Sequence, residues 1–431
     1  MSYTVADLIL ETVRGSGVQR IWGIPGDSLN GFTDALRRAK DMAWMHVRHE
    51  EAAAFAAGAE AAVTGELAVV AGSCGPGNMH FINGLYDAQR SRVPVLAIAS
   101  HIPVEQIGTT YFQETHPERL FDECSVYCEL AHTPTQFARI LNIAVRTAVE
   151  ERGVAVLVIP GELFDAKVDR PARPPRIRAT SPVTRPSDEE VHLAAAMLNE
   201  SKKVTIFAGA GCVGAHDAVV ELAQKLQAPV VHAYRGKEYL EYDNPCDVGM
   251  TGLIGFASGY KAMMNCDTLL MLGTNFPYRQ FYPEHSYIAQ IDLRPEALGN
   301  RCPLQLGLLG DVKLTLEAVL PKVMQNPDRD HLDQALDDYK KAREDLDALA
   351  EEQSPPAPLH LQSEEALASQ EIIHAYLATI EALPPRCREA FVLHVFDEMS
   401  HARIAEHMGI SVSMVEKHIV RGMLACKQCQ R

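Results

Sequence analysis

Between Thr4 and about Pro160 the apolar positions follow two periods in turn. Stretches with helical spacing are separated by continuous apolar runs, LAVVAG (67–72), VPVLAIAS (93–100) and VAVLVIP (154–160), with short Gly/Pro punctuation. Runs without alternation predict strands covered on both faces, as in a parallel sheet flanked by helices. A second unit of the same kind opens with VTIFA, passes Gly209, Gly211 and Gly214, and enters the helical AHDAVVELAQKL. Strands APVVHAY, DTLLMLGTN and YIAQIDL follow, then the helical segments LTLEAVLPKVM and LDQALDDYKKAREDLDALAEE beyond Asp311. Ala166–Glu189, rich in Pro and Arg, predicts an extended linker, and EEQSPPAPLHLQ is a second break. After it every segment reads as helix. The expected fold class is α/β, two doubly wound parallel-sheet domains (1–175 and 185–350), followed by a linker (351–368) and an all-α helix-turn-helix domain (369–431). No solenoid-type repeat is visible.

A length of 431 residues and 47% hydrophobic content allow about three ordinary domains. The formal charge of −16 disfavours wholesale coating of nucleic acid or acidic membrane, so any DNA contact must be local. The N-terminus has no basic region followed by an apolar one, and no apolar run approaches the ~18 residues of a membrane span, so a cytoplasmic location is expected. Ten scattered cysteines are expected as reduced thiols. Only Cys426 and Cys429 form a CxxC pair, a weak zinc or redox signal.

In AWMHVRHEEAAAFAAGAEAAV a short strand runs into an Ala-rich helix and puts Glu50 and Glu51 in its first turn. The helix dipole alone accounts for acids there. The wider pattern adds to this: GIPGDSLN (23–30), RHEEAAAFAAGAEA (48–61) and AGSCGPGNMHFINGLYDA (71–88), continuing through VPVLAIASHIP and YFQETHPERLF. Together these segments resemble bacterial pyruvate:quinone dehydrogenases, pyruvate-oxidase relatives in the thiamine-diphosphate superfamily. The resemblance makes 1–175 the pyrimidine-binding domain and gives Glu50 the role of catalytic carboxylate contacting the aminopyrimidine of thiamine diphosphate. A carboxylate hydrogen bond there favours the imino tautomer that removes the thiazolium proton, which glutamine would not do. Gly75-Pro76-Gly77 reads either as a close approach of backbone to ligand or as a tight strand-to-helix turn.

Gly209, Gly211 and Gly214 match G-x-G-x-x-G after a strand and before a helix, the setting of a dinucleotide site. The next strand ends in HAYRGKE, with no acid at its tip for an adenosine ribose, which weakens a nicotinamide reading. The runs 232–256, 271–283 and 288–295 resemble the flavin domain of the same family. By that resemblance the FAD contacts fall on Thr251, Gly252, Leu253 and Ile254, on Thr274, Asn275, Phe276, Pro277 and Tyr278, and on Asp292. Asn275 departs from the pattern, where glutamine is expected. The resemblance also implies a third domain whose GDG…N segment holds Mg²⁺ and the diphosphate. Nothing after Leu349 resembles that domain or the family's membrane-binding tail, so autonomous turnover is not expected.

In the C-terminal part Ser400 and Ser411 are expected as helix N-caps, Pro384 and Pro385 start a helix and Gly409 ends one. A capped helix, a short glycine turn and a second helix make a helix-turn-helix. The segment LPPRCREAFVLHVFDEMSHARIAEHMGISVSMVEKHIVRGM resembles region 4 of extracytoplasmic-function sigma factors, which reads the promoter −35 element and touches RNA polymerase. The implied recognition helix runs from about Val412 to Met423. It offers Ser411, Ser413, Met414, Glu416, Lys417 and Arg421 to DNA, with Ile404, Ala405, Ile410, Val415 and Ile419 inside. A solvated bundle surface is the plainer alternative. Region 2 is not seen. Three readings remain: pyruvate decarboxylation with a separately encoded third domain, a catalytically silent flavin-binding body with a promoter-binding module, or joined gene fragments with neither function. The expectation is a pyruvate-dehydrogenase-like, homo-oligomeric body with a DNA-binding module and no catalysis of its own.

Overall fold

The computed structural model describes residues 3–171, 176–178, 180, 184–353, 377–396 and 399–428, with backbone alone for 351–353 and 426–428. The chain divides into two units, Met1–Pro182 and Val183–Arg431.

The first unit is built on β1 (Arg20–Gly23), β2 (Ala43–His46), β3 (Ala68–Gly72), β4 (Val95–His101), β5 (Tyr127–Leu130) and β6 (Val154–Pro160). All pair in parallel, in the order β2-β1-β3-β4-β6-β5. Every residue of β3, β4 and β6 is buried, as their unbroken apolar runs require. Alternate residues feed two separate cores. Val69, Leu96 and Leu157 join Ile9, Phe32 and Phe137 on one face, while Val70, Ala97 and Val156 join Phe81 and Leu85 on the other. On that second face the helices Glu50–Thr64 and Ile82–Ser91 pack closely. A Cβ on Gly84 would lie 2.5 Å from Ala54 Cβ. The Ala-rich sequence of the Glu50 helix is what permits that approach.

The stretch expected as an extended linker is anchored at its beginning. Val168 N donates to Tyr3 O at 3.1 Å, Thr4 forms a bridge with Lys167, and Ile177 is buried in the first core. Its far end is helix. Ser187 and Glu190 form a reciprocal capping box for Asp188–Glu200, so Glu189 lies in the first turn rather than in a linker.

The second unit begins with β7 (Val204–Ala208), β8 (Val230–His232), β9 (Asp247–Met250), β10 (Thr268–Leu272), β11 (Tyr287–Asp292) and β12 (Leu306–Leu309). They form a parallel sheet in the order β12-β11-β10-β7-β8-β9. This is the dinucleotide-fold order, reversing direction between β7 and β10. Helices Val312–Val319 and Asp330–Gln353 follow the sheet. The two α/β sheets and the helices after them establish the expected fold class.

The C-terminal helices are 377–382, Pro385–Val395, His401–Met408 and Val412–Gln428. Gly409 ends the third in the left-handed region (φ 61°), its amide donating to Glu406 O and Ala405 O. Ala390, Ile404, Ala405, Val415 and Ile419 form a small core. A second cluster of Leu383, Cys387 and Phe391 seats the Phe391 ring where a Cβ on Gly422 would come within 2.3 Å. The 351–368 linker (beyond 353), residues 369–376 and Cys429 lie outside the described residues. The eight cysteines with described side chains are all free. No described helix is long and apolar enough to cross a membrane.

Candidate functional site

In open parallel sheets ligands sit beyond the carboxyl ends of the strands, where the strand order reverses. In the first unit that point lies between β1 and β3. The loops that leave them are tied together: Ser28 Oγ lies 2.8 Å from Ser73 Oγ and accepts from Cys74 N at 3.0 Å. Ser100 Oγ, at the end of β4, donates to Ser28 O at 2.6 Å, and buried Asn78 donates to Ser100 O at 2.6 Å. Gly75 sits at φ 67°, and a Cβ there would lie 2.8 Å from Gln113. Glycine at position 75 is therefore a steric necessity of this loop packing.

Glu50 opens its helix beside this edge. His49 is the N-cap, its side chain accepting from Glu51 N at 3.2 Å. The Glu50 carboxylate is 15% exposed, with Oε2 3.0 Å from His80 Nδ1. On its other side a Cβ on Gly77 would stand 3.4 Å from Oε1, so glycine keeps the space next to that oxygen open. The His49 and His80 rings lie 4.3 Å apart. Glu51, the neighbouring acid, is instead bound by Asn83 Nδ2. Glu50 thus stands at this edge with Oε2 beside His80 and glycine beside Oε1. Sequence reasoning missed the two imidazoles, although His49 lies in the RHE triplet and His80 in the NMHFIN segment.

The second candidate edge lies at the β7/β10 reversal. Gly209 and Gly211 face the loop after β10: a Cβ on Gly209 would lie 2.7 Å from Thr274 Cβ, and one on Gly211 the same distance from Gly273 Cα. These two glycines let the loops close on each other, while Gly214 supplies a left-handed turn (φ 70°) with open space around it. Gly252 (φ 120°) adjoins the Phe276 ring, so the loops after β9 and β10 meet. The Thr251 hydroxyl is buried with no hydrogen-bond partner, an atom that a ligand group would satisfy. Leu253, Ile254, Pro277 and Tyr278 are exposed at the same edge.

Not every expected contact is free for a ligand. Phe276 is packed edge-on against Phe207 and Phe281, and its carbonyl accepts from Tyr282 Oη at 2.7 Å. Asn275 Oδ1 accepts from Arg301 Nε at 2.6 Å. Asp292 ends β11, where burial pushes its carboxyl up and the Arg294 amide (3.0 Å) opposes that shift.

In the C-terminal module Ser411, Ser413, Met414, Glu416, Lys417 and Arg421 are all exposed along the helix Val412–Gln428. Ile404, Ala405, Val415 and Ile419 are buried, whereas Ile410 is only partly so. Ser411 Oγ accepts from Met414 N at 3.4 Å, but Ser400, although at the N-cap position, makes no capping bond with its side chain. This helix ends at Gln428, five residues beyond the Met423 expected.

Comparison with known proteins bears on all three parts. Residues 3–121 match the family "Thiamine pyrophosphate enzyme, N-terminal TPP binding domain", residues 191–319 "Thiamine pyrophosphate enzyme, central domain", and residues 373–426 "Sigma-70, region 4". An "Uncharacterized 42.6 kDa protein in isoamylase 3'region" of Pseudomonas amyloderamosa is 60% identical over 354 residues, 82% of this chain and 88% of that protein. Pyruvate oxidase of Lactiplantibacillus plantarum is 29% identical across 81% of this chain. Acetolactate synthase of Arthrospira platensis has the same 29% identity across 74%. The chain spans 59% and 58% of the length of these two enzymes.

Proposed function

The chain belongs to the thiamine pyrophosphate enzymes over residues 3–121 and 191–319 and carries a sigma-70 region 4 over residues 373–426, and on that premise we propose a flavin-binding, pyruvate-dehydrogenase-like body bearing a promoter-binding module. The observation that carries the flavin is the β7/β10 reversal, where the glycine loop and the loop after β10 meet beside the unpartnered Thr251 hydroxyl. In the first unit Glu50 would hold the aminopyrimidine of thiamine diphosphate, with His80 fixing the direction of its carboxylate. Bound there, that cofactor supplies the carbanion chemistry of decarboxylation. By family resemblance its metal and diphosphate are held by a further domain, and we assign none of residues 3–319 to holding them.

The proposal therefore assigns no turnover to the chain by itself. Pyruvate with thiamine diphosphate, Mg²⁺, FAD and an artificial electron acceptor is expected to give no acetate above the level of a Glu50→Gln variant. A Glu50-dependent rate from the pure chain, yielding either acetate or acetolactate, would contradict that assignment. The module's role rests on the exposed face of the helix Val412–Gln428, where Lys417 and Arg421 lie one turn apart beside Ser413. Promoter DNA is the proposed partner of this face, and RNA polymerase the proposed partner of the module.

A further inference from the structure

Away from both sheet edges, two imidazoles face each other in the C-terminal module. His394 lies one residue before the end of the helix Pro385–Val395, and His401 is the first residue of the helix His401–Met408. Their ring centroids are 4.7 Å apart, with the planes at 60°. Packing holds the backbone on both sides, because Leu393 and Met399 lie against the buried cluster that contains Ala390, Ile404 and Ala405. His394 Nδ1 donates to Met399 O at 3.2 Å, which leaves the lone pair of the neutral ring on Nε2. A ring nitrogen fixed in this way by a backbone carbonyl is the usual support of a metal-binding histidine. The His401 ring makes no hydrogen bond or ion pair among the described residues, so its nitrogens are uncommitted there. Both side chains are partly exposed, which gives an ion a path in.

We propose that His394 Nε2 and one ring nitrogen of His401 bind a divalent transition-metal ion of the Zn²⁺ class, with water in the remaining positions. Two imidazoles bound about 2.1 Å from a tetrahedral ion have their ring centroids about 5.2 Å apart, so the observed 4.7 Å needs a shift of only about 0.5 Å. Nitrogen donors favour Zn²⁺, Ni²⁺ or Cu²⁺ over Mg²⁺ and Ca²⁺, which take oxygen ligands. The positive end of the helix His401–Met408 opposes a cation, an effect weaker than two direct nitrogen bonds. The ion joins the end of one helix to the start of the next, across the chain that leads into the helix-turn-helix. Neither ligand belongs to the exposed face of Lys417 and Arg421, so the site stands whether or not the module binds DNA.

The test is modification of the metal-free full chain by diethylpyrocarbonate over a series of buffered free Zn²⁺ concentrations, mapped on each histidine by peptide mass spectrometry. The readout is residue by residue, so metal taken up elsewhere in the chain does not enter it. Zn²⁺ is expected to protect His394 and His401 with one common midpoint, while the exposed His132 stays reactive throughout. Mg²⁺ at the same concentrations should protect neither. His401→Ala should move the midpoint for His394 upward on the order of 100-fold, since loss of a direct ligand exceeds the 10- to 100-fold cost of losing an outer-shell partner. If His401→Ala perturbs the fold by circular dichroism, His401→Asn takes its place. Unprotected rings, two separate midpoints, or protection of His394 that is unmoved in the variant would overturn the site.

Discussion

Asp247 lies at the start of β9, 7% exposed, with Oδ1 3.4 Å from buried His232 Nε2 and neither atom in a hydrogen bond. Burial lifts the Asp247 carboxyl from 3.8 to about 7 and pushes the His232 imidazole from 6.5 down to about 4. The folded chain thus keeps the acid protonated where the unfolded chain ionises it, and Asp247 loses stability as pH rises from about 4 to about 7. His232 acts in the opposite sense, losing stability as pH falls from 6.5 to about 4. Asp247→Asn copies the neutral acid and removes only the first effect. Its stability advantage in urea unfolding should grow between pH 4 and pH 7 and level off on the order of 4 kcal/mol at most. An advantage that does not change with pH would refute the assignment. This pair was not legible in the sequence, because each residue sits in or beside a short apolar strand and nothing in the spacing joins them. Glu50 was legible, because a strand passing straight into an Ala-rich helix leaves little choice about where its acids lie. The convergence of His80 on it depends on how two helices pack, which one-dimensional periodicity does not carry.

At the scale of elements, the long buried strands announced themselves, as did the short β2 and β8, whereas β1, β5, β9 and β12 did not. β3, β4, β6, β7 and β10 are mainly apolar runs with no alternation, and β11 is buried but for Tyr287 although it carries Gln290 and Asp292, whereas β5, β9 and β12 have four residues each, some of them only partly buried. Pro and Arg suggested an extended chain between the two units, but not that Ile177 would be anchored in the first core or that the helix Asp188–Glu200 would begin within the stretch. The helix-turn-helix was legible in its glycine turn and its buried period, Ile404, Val415 and Ile419. Its exposed face leads to a direct expectation. Lys417→Ala with Arg421→Ala should weaken binding of a −35-like duplex on the order of 10-fold at low salt and flatten its salt slope by about 2, if both contact phosphate. Binding and slope unchanged in a gel-shift series over salt would move the module's role to protein contacts.

For the whole molecule, the charge of −16 means that duplex binding must come from this local face. The homo-oligomer expected from the family resemblance needs an open surface, and on the Glu50 helix Ala53, Ala54, Ala57 and Ala61 are buried within the chain. The opposite face leaves Ala52, Phe55, Ala59, Ala62 and Val63 exposed. That stripe is the surface we expect a second copy to cover, so light scattering at micromolar concentration should find a particle at least twice the 47.4 kDa chain, and Phe55→Glu should reduce it. A 47.4 kDa particle alone would remove this expectation. The claim that joins fold, site and function is that the central domain holds a flavin. Its most direct measurement is the absorption spectrum of the purified chain after incubation with FAD and removal of the excess. Retained flavin bands near ~450 nm at about one per chain are predicted, a reading that the dinucleotide strand order and the convergence of loops at β7 and β10 support. A folded protein that emerges colourless would contradict the account.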